Sequence, residues 1–422
     1  MKALTVIAAG LGFEDLEKRK LLKMAGLDFK PATSVFPAVT CVAQASFRTA
    51  AEPIDHAMTS NGYYSRELCK PFFWEQSSSL VKGPRIWDAP KANGLRTGLY
   101  FWQQSFGENA DTVISPAPIH KHGGGMVMRH YTKPSGMSDI LDRLCGTFPL
   151  HRYWGPLASP KVGRYVIDNT FEMLAAHETD VAFLYLPTLD YEAQRFGPDG
   201  KKADAAYSEF VSQLSRIADW CSKRGVSLSV CGDYQIGAVD RMPSFPNAVL
   251  RSAGLFNVRH VAGRAYPDFA ESRAFAMCDH EVAHVYVKRE EDVAKVRALF
   301  ESTREYESVE ERASQNWANA SAGEILLLAK KGSWCAYPWW TDVREEPDYA
   351  GHVDIHNKPG YDPCELFFGG FFPPSTSRDF SKVKGTHGRV SKIAYASTIP
   401  GVSGDSFVDL ASCVGKTLEG MK

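Results

Sequence analysis

Six apolar residues in a row, Val181–Leu186 (VAFLYL), lie between two stretches of helical pattern. A strand that is apolar on both faces has to be covered on both sides, which points to the interior of a parallel sheet under two layers of helices. The preceding Val162–His177 reads as a helix. The following Ala203–Lys223 reads as a long helix, with Ala206, Phe210, Leu214, Ile217 and Ala218 on one stripe. It leads to a second buried run, Ser227–Cys231 (SLSVC). Upstream, Leu4–Ala9 reads as a first strand, Phe13–Ala25 as a helix ended by Gly26, and Thr97–Trp102 as a strand. This alternation predicts an α/β chain with a mainly parallel sheet and helices on both faces. From about Val239 to Glu345 the pattern changes to short strands (Ala274–Met277, His284–Val287, Glu324–Ala329) and one helix, Glu291–Phe300. The expectation is one domain over 1–422 with a smaller α+β lid at about 239–345.

Charge narrows the functional classes. With 48 basic and 49 acidic residues the net charge is −1, which argues against a nucleic-acid groove or a membrane-surface patch. No segment approaches the roughly 18 apolar residues of a membrane span. The nine cysteines are scattered and form no CxxC pair, so a disulfide framework or zinc ribbon is not expected and a reducing, cytoplasmic setting fits. Lys2 followed by Ala3–Ala9 has the outline of a short signal peptide, but the charged amphipathic stretch after it favours a first strand.

Open α/β sheets bind ligands beyond the carboxyl ends of their strands. VAFLYL runs into Asp190, and SLSVC runs into Gly232-Asp233-Tyr234. Two carboxylates converging there suit a hard or borderline cation; helix capping is the plainer alternative. In Val35–Ala45, Thr40 falls near a helix start, where free N–H groups favour an anion such as phosphate. A hydroxyl there can be a nucleophile, or simply a cap. Asp279-His280-Glu281-Val282-Ala283-His284 holds two histidines four apart, on one helix face or split across a turn. His352, Asp354 and His356 share one face if that segment is a strand, and His387 lies in a glycine-flanked turn.

These pieces, in their order, resemble the nucleotide pyrophosphatase/phosphodiesterase branch of the alkaline phosphatase superfamily. Phe36-Pro37-Ala38-Val39-Thr40 is similar to that family's nucleophile turn. Asn61 follows Thr40 by 21 residues, where the family has an Asn that holds a phosphate oxygen. Gly83–Trp87 and Gly94–Trp102 resemble the approach to its FW strand. Leu186–Pro198, Gly232-Asp233-Tyr234 and Gly385-Thr386-His387-Gly388 resemble its three metal motifs. The resemblance implies an alkaline-phosphatase-like three-layer sandwich and a phosphohydrolase working through Thr40 with Asn61. It also implies a divalent metal, zinc first, and a small-molecule phosphate ester, diester or pyrophosphate as substrate. A phosphotransferase or mutase on the same scaffold, or a member that binds a phosphorylated ligand without turnover, is the alternative.

Three positions depart from the family pattern. Ala9-Gly10 stand where its first strand ends in a metal-binding Asp, and Gln194 and Tyr234 stand where it has histidines. Gln is a poor zinc ligand and neutral Tyr a poorer one. Asp190, Asp233 and His387 remain, and His280, His284, Asp354 and His356, with Asp279, are candidate replacement ligands for a shifted site. Lys358 and Arg389 are candidate phosphate clamps. The aromatic stretches Phe72-Phe73-Trp74, Tyr153-Trp154 and Tyr337–Trp340 suit ring stacking or lid packing.

Overall fold

The structure is a computed structural model that describes residues 1–122, 125–312, 315, 318–372 and 374–421. The strands that build its two largest sheets, in chain order, are β1 (Ala3–Ala8), β2 (Lys30–Thr33), β3 (Thr97–Tyr100), β4 (Thr112–Pro116), β5 (His130–Lys133) and β6 (Val181–Leu186). They continue with β7 (Ser227–Gly232), β8 (Ala274–Asp279), β9 (Val282–Val287), β10 (Tyr306–Glu311), β11 (Ile325–Ala329) and β12 (Lys392–Ser397). The helices used below are α1 (Phe13–Lys18), α2 (Thr40–Thr49), α3 (Val162–Ala176), α4 (Asp190–Phe196), α5 (Lys201–Ser222), α6 (Val293–Thr303) and α7 (Phe407–Glu419).

The main sheet has eight strands in the order β5-β4-β3-β6-β1-β7-β12-β2. Its middle, β4-β3-β6-β1-β7, is parallel, and the flanking pairings are antiparallel. Every residue of β1 and β6 is buried, because both strands are covered on both faces. Helix α2 packs on α7, and α3 on α5, giving the helix layers of an α/β sandwich. Phe47 and Phe183 each pack edge-on against Trp102 in its core.

A second sheet, β8-β9-β11-β10, is antiparallel throughout. It has its own apolar cluster, with Phe275, Val285, Leu327 and Trp339 and with Val296 and Phe300 of α6. Among the described residues no helix is long and apolar enough to cross a membrane.

Two local expectations are corrected. The helix expected over Phe13–Ala25 stops at Lys18. Lys20 already has φ +58, and Ala25 (φ +52) with Gly26 (φ +74) turns a small hairpin, Lys23–Met24 against Leu27–Asp28. Two successive left-handed residues match the twist of a tight hairpin and cannot continue a helix. His352, Asp354 and His356 do not share a strand face. That segment is a turn, because the Asp354 carboxylate accepts from Asn357 N (3.1 Å) and Asn357 Nδ2 (2.8 Å).

Candidate active site

The parallel register aligns three strand ends: Ala8 is opposite Leu186 on one side and Gly232 on the other. Gly10, Asp190 and Asp233 therefore come to the same edge of the sheet, the one that binds ligands in folds of this kind. Asp233 Oδ1 accepts from Gly10 N (3.0 Å) and from Tyr234 N (2.8 Å). Its Oδ2 is buried and has no hydrogen-bond partner among the described residues. Asp190 opens α4, and its Oδ1 accepts from Gln194 Nε2 (2.8 Å).

Thr40 faces this edge from α2. The cap position of α2 is Val39, and no side chain caps the helix, so Thr40 is its first residue rather than its cap. The Thr40 Oγ is instead 3.2 Å from the Tyr234 hydroxyl. Asn61 is held against the same turn. Its Oδ1 accepts from Cys41 N (2.9 Å), and its Nδ2 donates to Asp279 Oδ1 (3.0 Å). Asn61 N and Ser60 Oγ donate to the other oxygen of Asp279 at 2.7 and 2.8 Å. Asp279 ends β8, so the second sheet positions Asn61 through a carboxylate that receives three hydrogen bonds.

Four rings close the site. Tyr234 lies flat on His387, with centroids 3.7 Å apart and planes within 3°. His387 packs on His280 at 3.6 Å, and His280 on Tyr361 at 3.7 Å. The Tyr361 hydroxyl donates to Gln194 Oε1, so that end of the column is tied through Gln194 to Asp190. His280 sits at the β8–β9 turn with φ +59, a backbone conformation that side chains rarely adopt and that a surrounding structure has to hold. The Cys335 amide helps to hold it by donating to His280 O (2.8 Å).

Burial sets the electrostatics. It pushes the Asp190 carboxyl up to about 7, against the hydrogen bonds from Gln194 and Tyr234 that pull it down. It raises Asp279 to about 6 in the same way and holds Asp233 well above the ordinary carboxylate range. It lowers His387 to about 3, and His280 well below the usual histidine value. His387 Nδ1 is 2.7 Å from the Ala38 carbonyl, which can only accept, so Nδ1 carries the proton of the neutral ring.

His284 does not join this group. Its Nε2 is 2.9 Å from Thr59 O, and its Nδ1 accepts from Gly323 N (3.4 Å), so it bridges two backbone segments as a neutral ring. Burial lowers it to about 4. A histidine whose pKa is lower folded than unfolded contributes stability that is full above the unfolded value of about 6.5 and is lost as the pH falls below it. The stability difference between the wild type and His284→Gln is therefore expected to be largest above pH 6.5 and to shrink as the pH falls toward 4, measured by urea unfolding at stepped pH. A difference that stays constant over that range removes this role.

The remaining candidates are also placed elsewhere. His356 is exposed, with Nδ1 3.1 Å from Phe73 O, and Asp354 closes its turn. Lys358 is buried and gives its three N–H groups to His352 O (2.8 Å), Asp362 Oδ2 (2.7 Å) and Glu365 Oε1 (2.8 Å). Arg389 pairs with Glu281 (2.7 Å) and Glu307 (3.1 Å) and donates to Ala329 O. Lys358 is not available as a phosphate clamp in this arrangement, because a carbonyl and two carboxylates fill its three donors, and two carboxylates and a carbonyl take three of the five guanidinium N–H groups of Arg389.

The expected metal set of Asp190, Asp233, His280, His284, Asp354, His356 and His387 does not assemble either. Among the described residues no group of three or more His, Cys, Asp or Glu side chains is arranged to hold a metal ion. The donor chemistry gives the reason. Gly10 offers no side chain, the Gln194 amide is taken by Asp190 and Tyr361, and the Tyr234 ring is stacked flat on His387. The residues present therefore do not fit a two-metal centre. The sequence reading passed over Tyr234 and Tyr361 as partners, although Tyr234 stands in a metal-motif position with a polar tip that a buried site has to satisfy.

Fold and strand-edge site together define a scaffold of the alkaline phosphatase superfamily. The chain belongs to the type I phosphodiesterase / nucleotide pyrophosphatase family, whose model matches residues 9–362. This places it among hydrolases acting on phosphoester bonds, a family that generally depends on a divalent metal. In structure it is similar to murine ectonucleotide pyrophosphatase / phosphodiesterase 5, with TM-score 0.58 and 14% identity over 99% of this chain and 95% of that one. The same murine protein, as an inactive Thr-to-Ala variant in complex with AMP, matches equally. Phosphonoacetate hydrolase from Sinorhizobium meliloti 1021, in complex with phosphonoformate, gives TM-score 0.62 and 12% identity over 99% and 96%. At such identities the likeness is one of fold. No curated protein matches the chain in sequence.

Proposed function

We propose that this chain hydrolyses a phosphate ester, diester or pyrophosphate of a small molecule, with Thr40 as nucleophile. The observation that carries the reading is the place of Thr40: first residue of α2, its hydroxyl turned from the helix to Tyr234 at the ligand-binding edge of the sheet. The helix start supplies N–H groups for phosphoryl oxygens, and the anchored Asn61 amide fixes the turn beside them. The AMP and phosphonoformate held by the murine and Sinorhizobium proteins support a small phosphate- or phosphonate-bearing ligand at this edge. The murine protein's inactivity as a Thr-to-Ala variant supports a threonine in the reacting role. Nine free cysteines suit a reducing, cytoplasmic setting. Zinc is not carried into this reading, because the donors do not fit it.

The test is turnover of phosphomonoester, phosphodiester and dinucleotide pyrophosphate substrates by wild type and Thr40→Ala, with and without added divalent cations. Activity that the variant retains in full removes Thr40 as nucleophile. One observation favours a second reading, a phospho-ligand binder without turnover: the closed ring column stands where the family's ligands are missing. That reading gains if AMP raises the melting temperature while no substrate is consumed.

A further inference from the structure

We infer that Asp279, at the end of a strand of the second sheet, is the positioning residue of the phosphoryl site: it fixes the Asn61 amide one way round, with one Nδ2–H left for a phosphoryl oxygen. The inference rests on the hydrolase reading above and names what holds its oxyanion donor.

The contacts leave that amide a single orientation. Asp279 is fully buried and Asn61 nearly so. One Asp279 oxygen accepts from Ser60 Oγ at 2.8 Å and from Asn61 N at 2.7 Å, and the other accepts from Asn61 Nδ2 at 3.0 Å. On its opposite side the amide oxygen accepts from Cys41 N at 2.9 Å. A carboxylate only accepts, and a backbone N–H only donates. Turning the amide over would set its oxygen against the carboxylate and its NH2 against the Cys41 N–H, so both bonds would be lost together. The Asn61 oxygen takes an N–H of the first turn of α2 that Val39, at the cap position, has no side-chain oxygen to accept. The Cys41 N–H is therefore spent. Of the two N–H groups on Asn61 Nδ2, Asp279 takes one, and the other has no acceptor among the described residues.

The anchor is itself held. Asp279 pairs with Val282 across the β8–β9 turn. Within that turn Cys335 N donates to His280 O at 2.8 Å, Glu281 N to His387 O at 2.9 Å, and Ala329 N to Glu281 O at 2.8 Å. Strand β9 adds a second tie, because His284 Nε2 is 2.9 Å from Thr59 O. One hairpin of the second sheet thus grips Thr59-Ser60-Asn61 at both ends. The second sheet does more than cover the site: it sets the donor that developing phosphoryl charge meets, and a donor fixed beforehand acts on that charge without reorganising.

The test is a double-mutant cycle on the full-length protein: wild type, Asn61→Ala, Asp279→Asn and the two together. Turnover of phosphomonoester and phosphodiester substrates gives kcat and KM. Calorimetry gives the affinity for orthovanadate, which mimics the five-coordinate phosphoryl state and needs no turnover. Asp279→Asn is expected to lower kcat by about 10²-fold with a smaller change in KM, and to weaken vanadate binding by on the order of 10-fold. In the Asn61→Ala background the same substitution is expected to lower neither further, because Asp279 acts through that amide. Equal effects in both backgrounds overturn the inference, since a carboxylate that only supports the fold acts whether or not Asn61 is present.

A further variant, Asp279→Asn with Asn61→Asp, keeps the inference testable if Asp279→Asn alone does not fold. It restores a donor and an acceptor between the two positions and leaves Cys41 N an acceptor, but removes the free N–H. It is expected to unfold in urea at a higher midpoint than Asp279→Asn and to bind vanadate more weakly than wild type. Wild-type affinity for vanadate in this variant overturns the inference, as does a midpoint no higher than that of Asp279→Asn. A wild type that binds vanadate but turns over no substrate overturns the hydrolase reading, and the vanadate cycle then decides the role of Asp279 alone. A wild type that does neither overturns both.

Discussion

Thr40→Ala is expected to lower kcat by on the order of 10³-fold or more, while the chain stays folded. Among the described residues the hydroxyl makes one side-chain hydrogen bond, with Tyr234 at 3.2 Å. Alanine loses this contact and the buried γ-methyl together, so the stability change is about 1–2 kcal/mol. Alanine keeps only the β-carbon of the threonine side chain. Thr40→Ser is expected to recover much of the rate, because it restores the oxygen without the methyl. The pair separates nucleophile from spacer: if Ala and Ser lose equally, the methyl packing matters and the oxygen does not. Mass spectrometry of an acid-quenched reaction gives a second readout, a phosphothreonine on the peptide containing Thr40 in wild type and none in Thr40→Ala.

How much of this was legible in the sequence depends on whether the physics was local. Val181–Leu186 is the strand that its six apolar residues predict, and Ser227–Gly232 extends the expected run by one residue. Burial on both faces leaves no alternative pattern for such segments. Thr40 was legible as a helix-start residue, and α2 begins there. Local pattern misled where a side chain or an unusual φ overrode it. The stretch after Lys18 has helical periodicity, yet Lys20 and Ala25 take left-handed backbone and end it. The alternation His352, Asp354, His356 imitates a strand, and the Asp354 carboxylate turns it. The ring column was not legible at all. Tyr234, His387, His280 and Tyr361 come from four distant segments, and no spacing in one sequence encodes their stacking. The missing ligands at Gly10, Gln194 and Tyr234 were legible as departures. What replaced them is set by contacts between segments far apart in the chain.

Lys358 carries the other large effect, and here the structure redirects the sequence reading from substrate to stability. Lys358→Ala is expected to destabilise the fold by about 3–5 kcal/mol, the range for removing one member of a buried charge cluster. The ammonium is 1% exposed and lies between Asp362 and Glu365, at 2.7 and 2.8 Å. Both carboxylates hold its pKa above the usual lysine value against the opposing effect of burial. With the lysine gone, Asp362 and Glu365 would be left facing each other with no compensating charge. Burial already raises Glu365, and Lys358 is the largest influence holding it down. The loss would spread. Glu365 also accepts from Trp154 Nε1 (2.6 Å) and from Asp354 N (2.9 Å). Trp154 packs at 5.8 Å on Tyr361, the outer ring of the column at the candidate site. Lys358 is thus the counter-ion of the loop that delivers Tyr361. The control is Lys358→Met with Asp362→Asn and Glu365→Gln, which removes all three charges and is expected to cost clearly less than Lys358→Ala alone. Urea unfolding of the two variants distinguishes a buried ion cluster from a substrate clamp. A clamp would leave the unfolding midpoint of Lys358→Ala at the wild-type value and raise KM instead.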